Sequence, residues 1–326
     1  EHISAAQKFY YEPNRNLSVQ VNGSMFFMNS YDLIQDMTFS QSRDFMAGVK
    51  AKYNVKDWFT VNLSIHNDFY DRFKRHERID ERKKVYKSKI FEPRLTLTST
   101  YFSGHSIILG VEHTSDELTS DRFVNRKMTT RALHETEYFL QDEWTANKHW
   151  MLSAGVRTNF SKAFGFMYMP KIAVKYSPDE HWAIRANYSI GYRAPSIKEL
   201  FFNWDHLGMF QIRGSEDLKP EKNHYFSLGA EYTHNGFFMN VNAYINKFRN
   251  KIEGVWHIYD MQYNFEYTNL SSQRLYGIEA ILKWHFLDHF TLNGTYSYVN
   301  VSKQDGIQVN TTSPHAATAS IDYVYN

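Results

Sequence analysis

The side chains best equipped for chemistry fall in one stretch, Tyr192 to Met209. Arg193 presents a planar fork of N–H donors, which can brace the base of a loop or grip a carboxylate with two parallel hydrogen bonds. His206 can offer a neutral imidazole to iron, or stand as an ordinary exposed loop histidine. Met209, three residues further on, adds a thioether as a soft second donor. Trp204, with Phe201, Phe202 and Phe210, can floor a flat apolar ligand or pack the segment against itself. Tyr192-Arg193-Ala194-Pro195 closes the strand before it, because proline has no N–H for a ladder. These groups bind; none pairs a nucleophile with a base.

Catalytic patterns are missing elsewhere too. The sequence has no His-Glu-x-x-His helix, Gly-rich phosphate loop or Gly-x-Ser-x-Gly elbow. Its 15 histidines are scattered, and His149, His181, His234 and His289 sit in short polar turns. His134-Glu135 and Asp116-Glu117 resemble fragments of a rim hydrolase site, yet their spacing makes no triad, so an enzyme is not expected. No cysteine is present, which excludes disulfide scaffolds and Cys-zinc centres. A net charge of +2 gives no global pull toward nucleic acid. The dense run from Arg72 to Lys87 mixes both signs and reads as a solvated loop rather than a nucleic-acid patch.

The elements that position this stretch follow from period-two alternation. Phe59, Val61, Leu63 and Ile65 alternate with Thr60, Asn62, Ser64 and His66; Met239, Val241, Ala243 and Ile245 alternate with Asn240, Asn242, Tyr244 and Asn246. Many runs exceed the five or six residues typical of soluble strands and suit the 9–11 that cross a bilayer. Hydrophobic residues make up 42% of the chain, yet aromatics reach 17%. That balance fits a wall with a wet lumen and an apolar outer face. Six short polar turns, such as Tyr53–Trp58, Trp144–Trp150 and Tyr176–Trp182, are each bracketed by bulky rings or aliphatics. Rings at one height beside tight turns are what an interfacial girdle requires. Between these turns lie longer polar connections, Asp71–Lys87, Asp116–Arg131 and Pro195–Glu221, expected as loops on the opposite rim. Six hairpins with a strand added at each end predict about fourteen strands of a transmembrane antiparallel β-barrel, all-β in class. With no linker or composition break, residues 1–326 read as a single domain.

One segment carries a specific resemblance. Gly191-Tyr192-Arg193-Ala194-Pro195-Ser196 is followed by Asp217-Leu218-Lys219-Pro220-Glu221, then by Tyr225–Tyr232, Asn269-Leu270 and Tyr276-Gly277-Ile278-Glu279. This pattern resembles the barrel of TonB-dependent outer-membrane receptors, closely from Tyr188 to Val301 and by strand pattern elsewhere. Two boxes flanking a histidine are most similar to the haem and haemoglobin receptor branch, with His206 at the matching position. The second box departs from that branch, reading Gly214-Ser215-Glu216-Asp217-Leu218 without an Asn-Pro pair.

The resemblance implies a barrel of about twenty-two strands around an N-terminal plug. No plug is visible in this chain, and its last residues, Tyr323-Val324-Tyr325-Asn326, lack the usual aromatic terminus, so both ends are expected to be truncated. It implies location in the outer membrane of a Gram-negative bacterium and import of an iron-bearing nutrient. Haem, taken from haemoglobin, is the first expectation, as transported ligand rather than intrinsic cofactor. His206 would meet the haem iron, and Tyr192, Arg193, Trp204 and Met209 would complete the binding set. The implied partners are the TonB–ExbB–ExbD transducer, reached through the plug, outer-membrane lipid, and a surface lipoprotein. A siderophore or cobalamin receptor of the same fold is the alternative within transport. A plugless fourteen-strand diffusion porin and a soluble adhesion domain are the rivals from other classes.

Overall fold

An alternating strand in a bilayer must turn one face to hydrocarbon and the other to water, and every backbone N–H and C=O must find a partner in a neighbouring strand. The computed structural model describes residues 1–31, 38–76, 81–124, 127–206, 209–259, 262–302 and 313–325. Its strands are β1 (His2–Asn14), β2 (Leu17–Tyr31), β3 (Thr38–Lys56), β4 (Phe59–His76), β5 (Glu81–Ser99), β6 (His105–Val124), β7 (Lys127–Thr145), β8 (Trp150–Ser161), β9 (Gly165–Tyr176) and β10 (Trp182–Arg193). An excursion follows, holding the short helix α1 (Ile197–Phe201) and the strands β11 (Asn203–His206) and β12 (Phe210–Arg213). The wall resumes with β13 (Glu221–His234), β14 (Phe237–Tyr259), β15 (Gln262–Phe286), β16 (Phe290–Val301) and β17 (His315–Tyr323).

Each wall strand pairs antiparallel with the next, and β10 pairs directly with β13 across the excursion. Seventeen strands are described; two belong to the excursion, leaving fifteen in the wall, one more than the sequence pattern suggests. The additional strand is β1. Its turn to β2 carries no aromatic bracket and is built on Asn14, whose Oδ1 accepts hydrogen bonds from the N–H groups of Asn16 (2.9 Å) and Leu17 (3.0 Å).

Cross-strand register carries the alternation round the wall. Tyr11, Val19, Ala51, Leu63, Leu95 and Val111 are successive direct partners on one face. Ser227, Tyr244, Gly277 and Val299 follow the other face. Outward residues such as Leu63, Leu109, Leu140, Ile172, Leu228, Ile278 and Ile321 are exposed. Beside the tight turns the expected girdle forms, with Trp58–Tyr101, Trp150–Tyr176, Trp182–Tyr232 and Phe290–Tyr323 ring centroids 4.9, 4.4, 4.7 and 4.9 Å apart.

On the opposite rim two of the expected loops are strand. Asp71–Lys87 is the continuation of β4 and β5, and Asp116–Arg131 that of β6 and β7, apart from residues 77–80 and 125–126, which lie outside the described residues. The ladder runs on because paired strands need no hydrophobic face once both sides meet water. Cross-strand partners such as Asp71 and Lys84 (3.0 Å) or Thr119 and Thr130 (2.9 Å) satisfy each other instead.

The wall is uneven in height. β4 to β7 have 18 to 20 residues and β14 and β15 have 23 and 25, whereas β8, β9 and β10 have 12 each. The result is a notch between two tall flanks, and the excursion begins at its edge.

Candidate functional site

The excursion leaves and rejoins the wall at one paired point, Arg193 opposite Glu221. Arg193 clamps this neck with its whole fork. Its Nε and Nη2 donate to Glu221 (3.0 and 2.8 Å), and Nη1 donates to both oxygens of Glu199 (3.0 Å each). Glu199 and Glu221 are only 15% and 12% exposed, so this cation offsets their desolvation. Their hydrogen bonds hold the guanidinium above even its ordinary pKa, Glu221 first, against the opposing effect of burial. Glu199 also completes a capping box on α1: Ser196 Oγ accepts from Glu199 N–H (3.3 Å), and Glu199 Oε2 accepts from Ser196 N–H (2.7 Å). Glu221 Oε1 accepts from the Ile252 N–H (2.6 Å), tying the neck to β14. On the return path Asn269 accepts from Lys219 N–H (2.7 Å) and donates to the carbonyls of Lys219 (2.9 Å) and Asn250 (2.7 Å).

Above the neck the excursion bridges the notch through two apolar clusters. Ile197 and Phe202 pack with Leu118 and Phe123 of β6, flanked by Tyr86, Leu133, Phe201, Trp204 and Ile212. Leu200 and Leu218 pack with Ile252 of β14, flanked by Leu133, Phe164, Phe201 and Tyr267. The chain folds back on α1 so tightly that a Cβ on Gly214 would come within 2.6 Å of the Glu199 carbonyl oxygen. Beyond, β11 and β12 form a hairpin whose second strand runs parallel to β15, with Phe210 5.2 Å from the Trp256 ring.

The five candidate binding residues take different places in this arrangement. Arg193 spends its donors on the neck. Trp204 packs into the cluster against β6, with the Arg122 guanidinium 4.1 Å above its ring. Tyr192 is part-buried at the end of β10, its hydroxyl without a hydrogen-bond partner among the described residues. Met209 is exposed beside the hairpin turn. The backbone of His206 pairs with Phe210, while its side chain and residues 207–208 lie outside the described residues. The sequence reading missed Glu199, Glu221 and Asn269. Ser196-x-x-Glu199 was a legible signal for the first, since that spacing is a helix-start pattern.

Under the excursion lies a cavity of about 380 Å³, between α1 and the inner faces of β3 to β6. Arg72, Arg122 and Lys198 line it with Tyr70, Tyr86 and Phe202, over a floor holding Asp44 and Asp68. Three cations against two carboxylates leave it net positive. Burial, and then the like charge of Arg72, lower the pKa of Arg122, with Asp121 and Tyr86 opposing. No group of metal-ligating side chains large enough to hold an ion occurs among the described residues.

With this geometry in place, residues 4–326 match the family described as TonB dependent receptor-like, beta-barrel. The chain belongs to this family. As a TonB-dependent receptor barrel it is a wall of the Gram-negative outer membrane, the tight turns on one side and the bridged notch on the other. Two curated relatives match part of it. The iron-regulated outer membrane virulence protein of Vibrio cholerae is 26% identical over 235 residues, 68% of this chain and 35% of that protein. The ferric enterobactin receptor of Pseudomonas aeruginosa is 24% identical over 197 residues, 53% of this chain and 26% of that protein. The chain therefore spans about a third or less of the curated relatives it matches. A solved structure of the Pseudomonas ferric enterobactin receptor superposes with a TM-score of 0.83, 14% identity, and coverage of 99% of this chain and 55% of that one. The siderophore receptor PirA of Pseudomonas aeruginosa gives 0.79, 13%, 99% and 59%. At these identities the structures speak for the fold alone. Neither curated relative is described as a haem receptor, so the haem expectation gains no support from them.

Proposed function

We propose that this barrel belongs to a receptor that imports a ferric siderophore, capturing it in the extracellular mouth and passing it inward with energy from the TonB–ExbB–ExbD transducer. The observation that carries this reading is the cavity beneath the excursion, where Arg72, Arg122 and Lys198 stand beside Tyr70, Tyr86 and Phe202. A ferric catecholate is both anionic and aromatic. It meets cations that lack full neutralisation and rings that can stack on it. The relatives, an iron-regulated outer-membrane virulence protein and a ferric enterobactin receptor, point the same way. The haem reading rests on His206 and Met209 instead, and Met209 does not line this cavity.

Titration of the full-length receptor in detergent tests the reading. A ferric tris-catecholate siderophore should quench tryptophan fluorescence, and Arg122→Ala should weaken that binding about tenfold, the effect of losing one charge-assisted contact. Haem added to the same protein should leave the Soret band where free haem has it. A Soret shift that vanishes in His206→Ala, with no siderophore binding, would overturn the proposal in favour of haem.

A further inference from the structure

Two turns on the rim opposite the mouth bring a pair of histidines face to face. His181 closes the turn between β9 and β10, and His234 ends β13, the strand that β10 joins directly. Both backbones are held in place. Asp179 Oδ1 accepts from the N–H groups of His181 (2.8 Å) and Trp182 (3.0 Å). Asn235 and Gly236 follow His234 with φ of 46° and 78°, the left-handed pair of a two-residue hairpin turn. The His181 carbonyl accepts from the Thr233 N–H (2.9 Å), which locks the turn to β13. On this frame the two rings stand edge to face, centroids 4.3 Å apart, and their Nδ1 atoms are 3.3 Å apart. His181 Nδ1 is also 3.1 Å from the Thr233 carbonyl oxygen. Only one proton fits between the two nitrogens, so a single proton has to serve three lone-pair atoms. On the same rim the Nδ1 atoms of His149 and His285 meet oxygens instead, Ser177 O (2.7 Å) and Thr291 Oγ1 (2.8 Å).

We propose that His181 and His234 form a binding site for a divalent transition-metal ion, with zinc the best fit and the Thr233 carbonyl as third protein donor. Zinc takes imidazole nitrogens at about 2.0–2.1 Å in a tetrahedral array, which sets neighbouring nitrogens about 3.3–3.4 Å apart. The two Nδ1 atoms already stand at that spacing. An ion accepts all three lone pairs, where one proton satisfies only some of them. Glu180 Oε1 lies 3.8 Å from His181 Nε2, within ion-pair reach of the ring nitrogen turned away from the site. A carboxylate there favours the tautomer that leaves Nδ1 free to ligate. Three ligating side chains nowhere come together among the described residues. Here the backbone carbonyl makes up the third donor, and a fourth position stays open to water. The ion would staple the β10–β13 ladder at the end away from the neck. The site is independent of the cargo.

The test uses the full-length receptor in detergent, without a polyhistidine tag and stripped of metal by a chelator. Zinc is titrated in competition with a chromogenic chelator. His181→Ala and His234→Ala should each weaken zinc binding about tenfold or more, since losing a ligand costs at least what losing its supporting group does. Copper(II) bound in place of zinc should show splitting from two ring nitrogens in its electron paramagnetic resonance spectrum, and from one in either variant. His149→Ala should change neither readout. If an alanine variant fails to fold, His181→Gln and His234→Gln give the same readouts with smaller perturbation. Zinc binding by wild type no tighter than by His181→Ala with His234→Ala would overturn the proposal. So would an equal loss in His149→Ala, or a two-nitrogen copper spectrum that survives His234→Ala.

Discussion

The β4–β5 hairpin and the excursion at residues 194–220 both rise above the membrane band, and they stand by different means. The hairpin continues the ladder, so its backbone is satisfied strand by strand, and charged pairs such as Lys84 and Asp71 suffice for its faces. The excursion leaves the ladder beside the low strands β8 to β10, and its only pairing with the wall among the described residues is the four-residue stretch of β12 along β15. It has to build a core of its own from Ile197, Leu200 and Phe202, and borrow Leu118, Phe123 and Ile252 from the flanks. The contrast teaches that a projection on a barrel is cheap where the sheet extends and depends on side-chain packing where it does not.

That contrast can be broken most forcefully at Phe123, which is 1% exposed at the junction of excursion and flank. Phe123→Ala should destabilise the excursion by about 3–5 kcal/mol while the wall stays folded. Hydrogen exchange should then speed up in residues 196–218 and remain slow in β13 and β14. Arg193→Ala comes next. It strands two largely buried carboxylates, but the guanidinium itself is 45% exposed, so the solvent-screened cost should be about 2 kcal/mol. Limited proteolysis should cut the excursion, and Arg193→Lys should rescue only part of the resistance because it lacks the fork. Ser196→Ala removes one half of the capping box and should cost about 1 kcal/mol, visible as faster exchange confined to α1. The smallest effect belongs to the hairpin. Lys84→Ala should change stability by no more than about 0.5 kcal/mol, because the ladder carries β4 and β5 with or without the ion pair. A cost for Lys84→Ala equal to that of Phe123→Ala would show that both projections rest on side chains.

Much of the fold was legible before the structure. The two-residue period forces opposite faces, and the bulky brackets mark the tight turns, since register keeps every cross-strand partner on one side. The turn at Asn14 escaped because it is made by a side-chain amide bonding to backbone, with no periodic signature. The tall hairpins were mistaken for loops because charged residues of both signs look like solvent-exposed coil whether or not their backbones are paired. Of the site, the sequence offered Arg193 as either a brace for a loop base or a grip on a ligand carboxylate; that it bonds two carboxylates of its own chain, one of them 28 residues away, was not legible.

The sequence by itself determined that this chain makes long two-faced strands joined by girdled turns, because alternation is a local property and each residue states its own side. Which strands stand tall, where the notch falls, and that Arg72, Arg122 and Lys198 meet beneath α1 were decided only by the tertiary structure. Those facts depend on register between distant strands and on packing across the mouth, and no local pattern encodes the distance between residues brought together by a curved sheet.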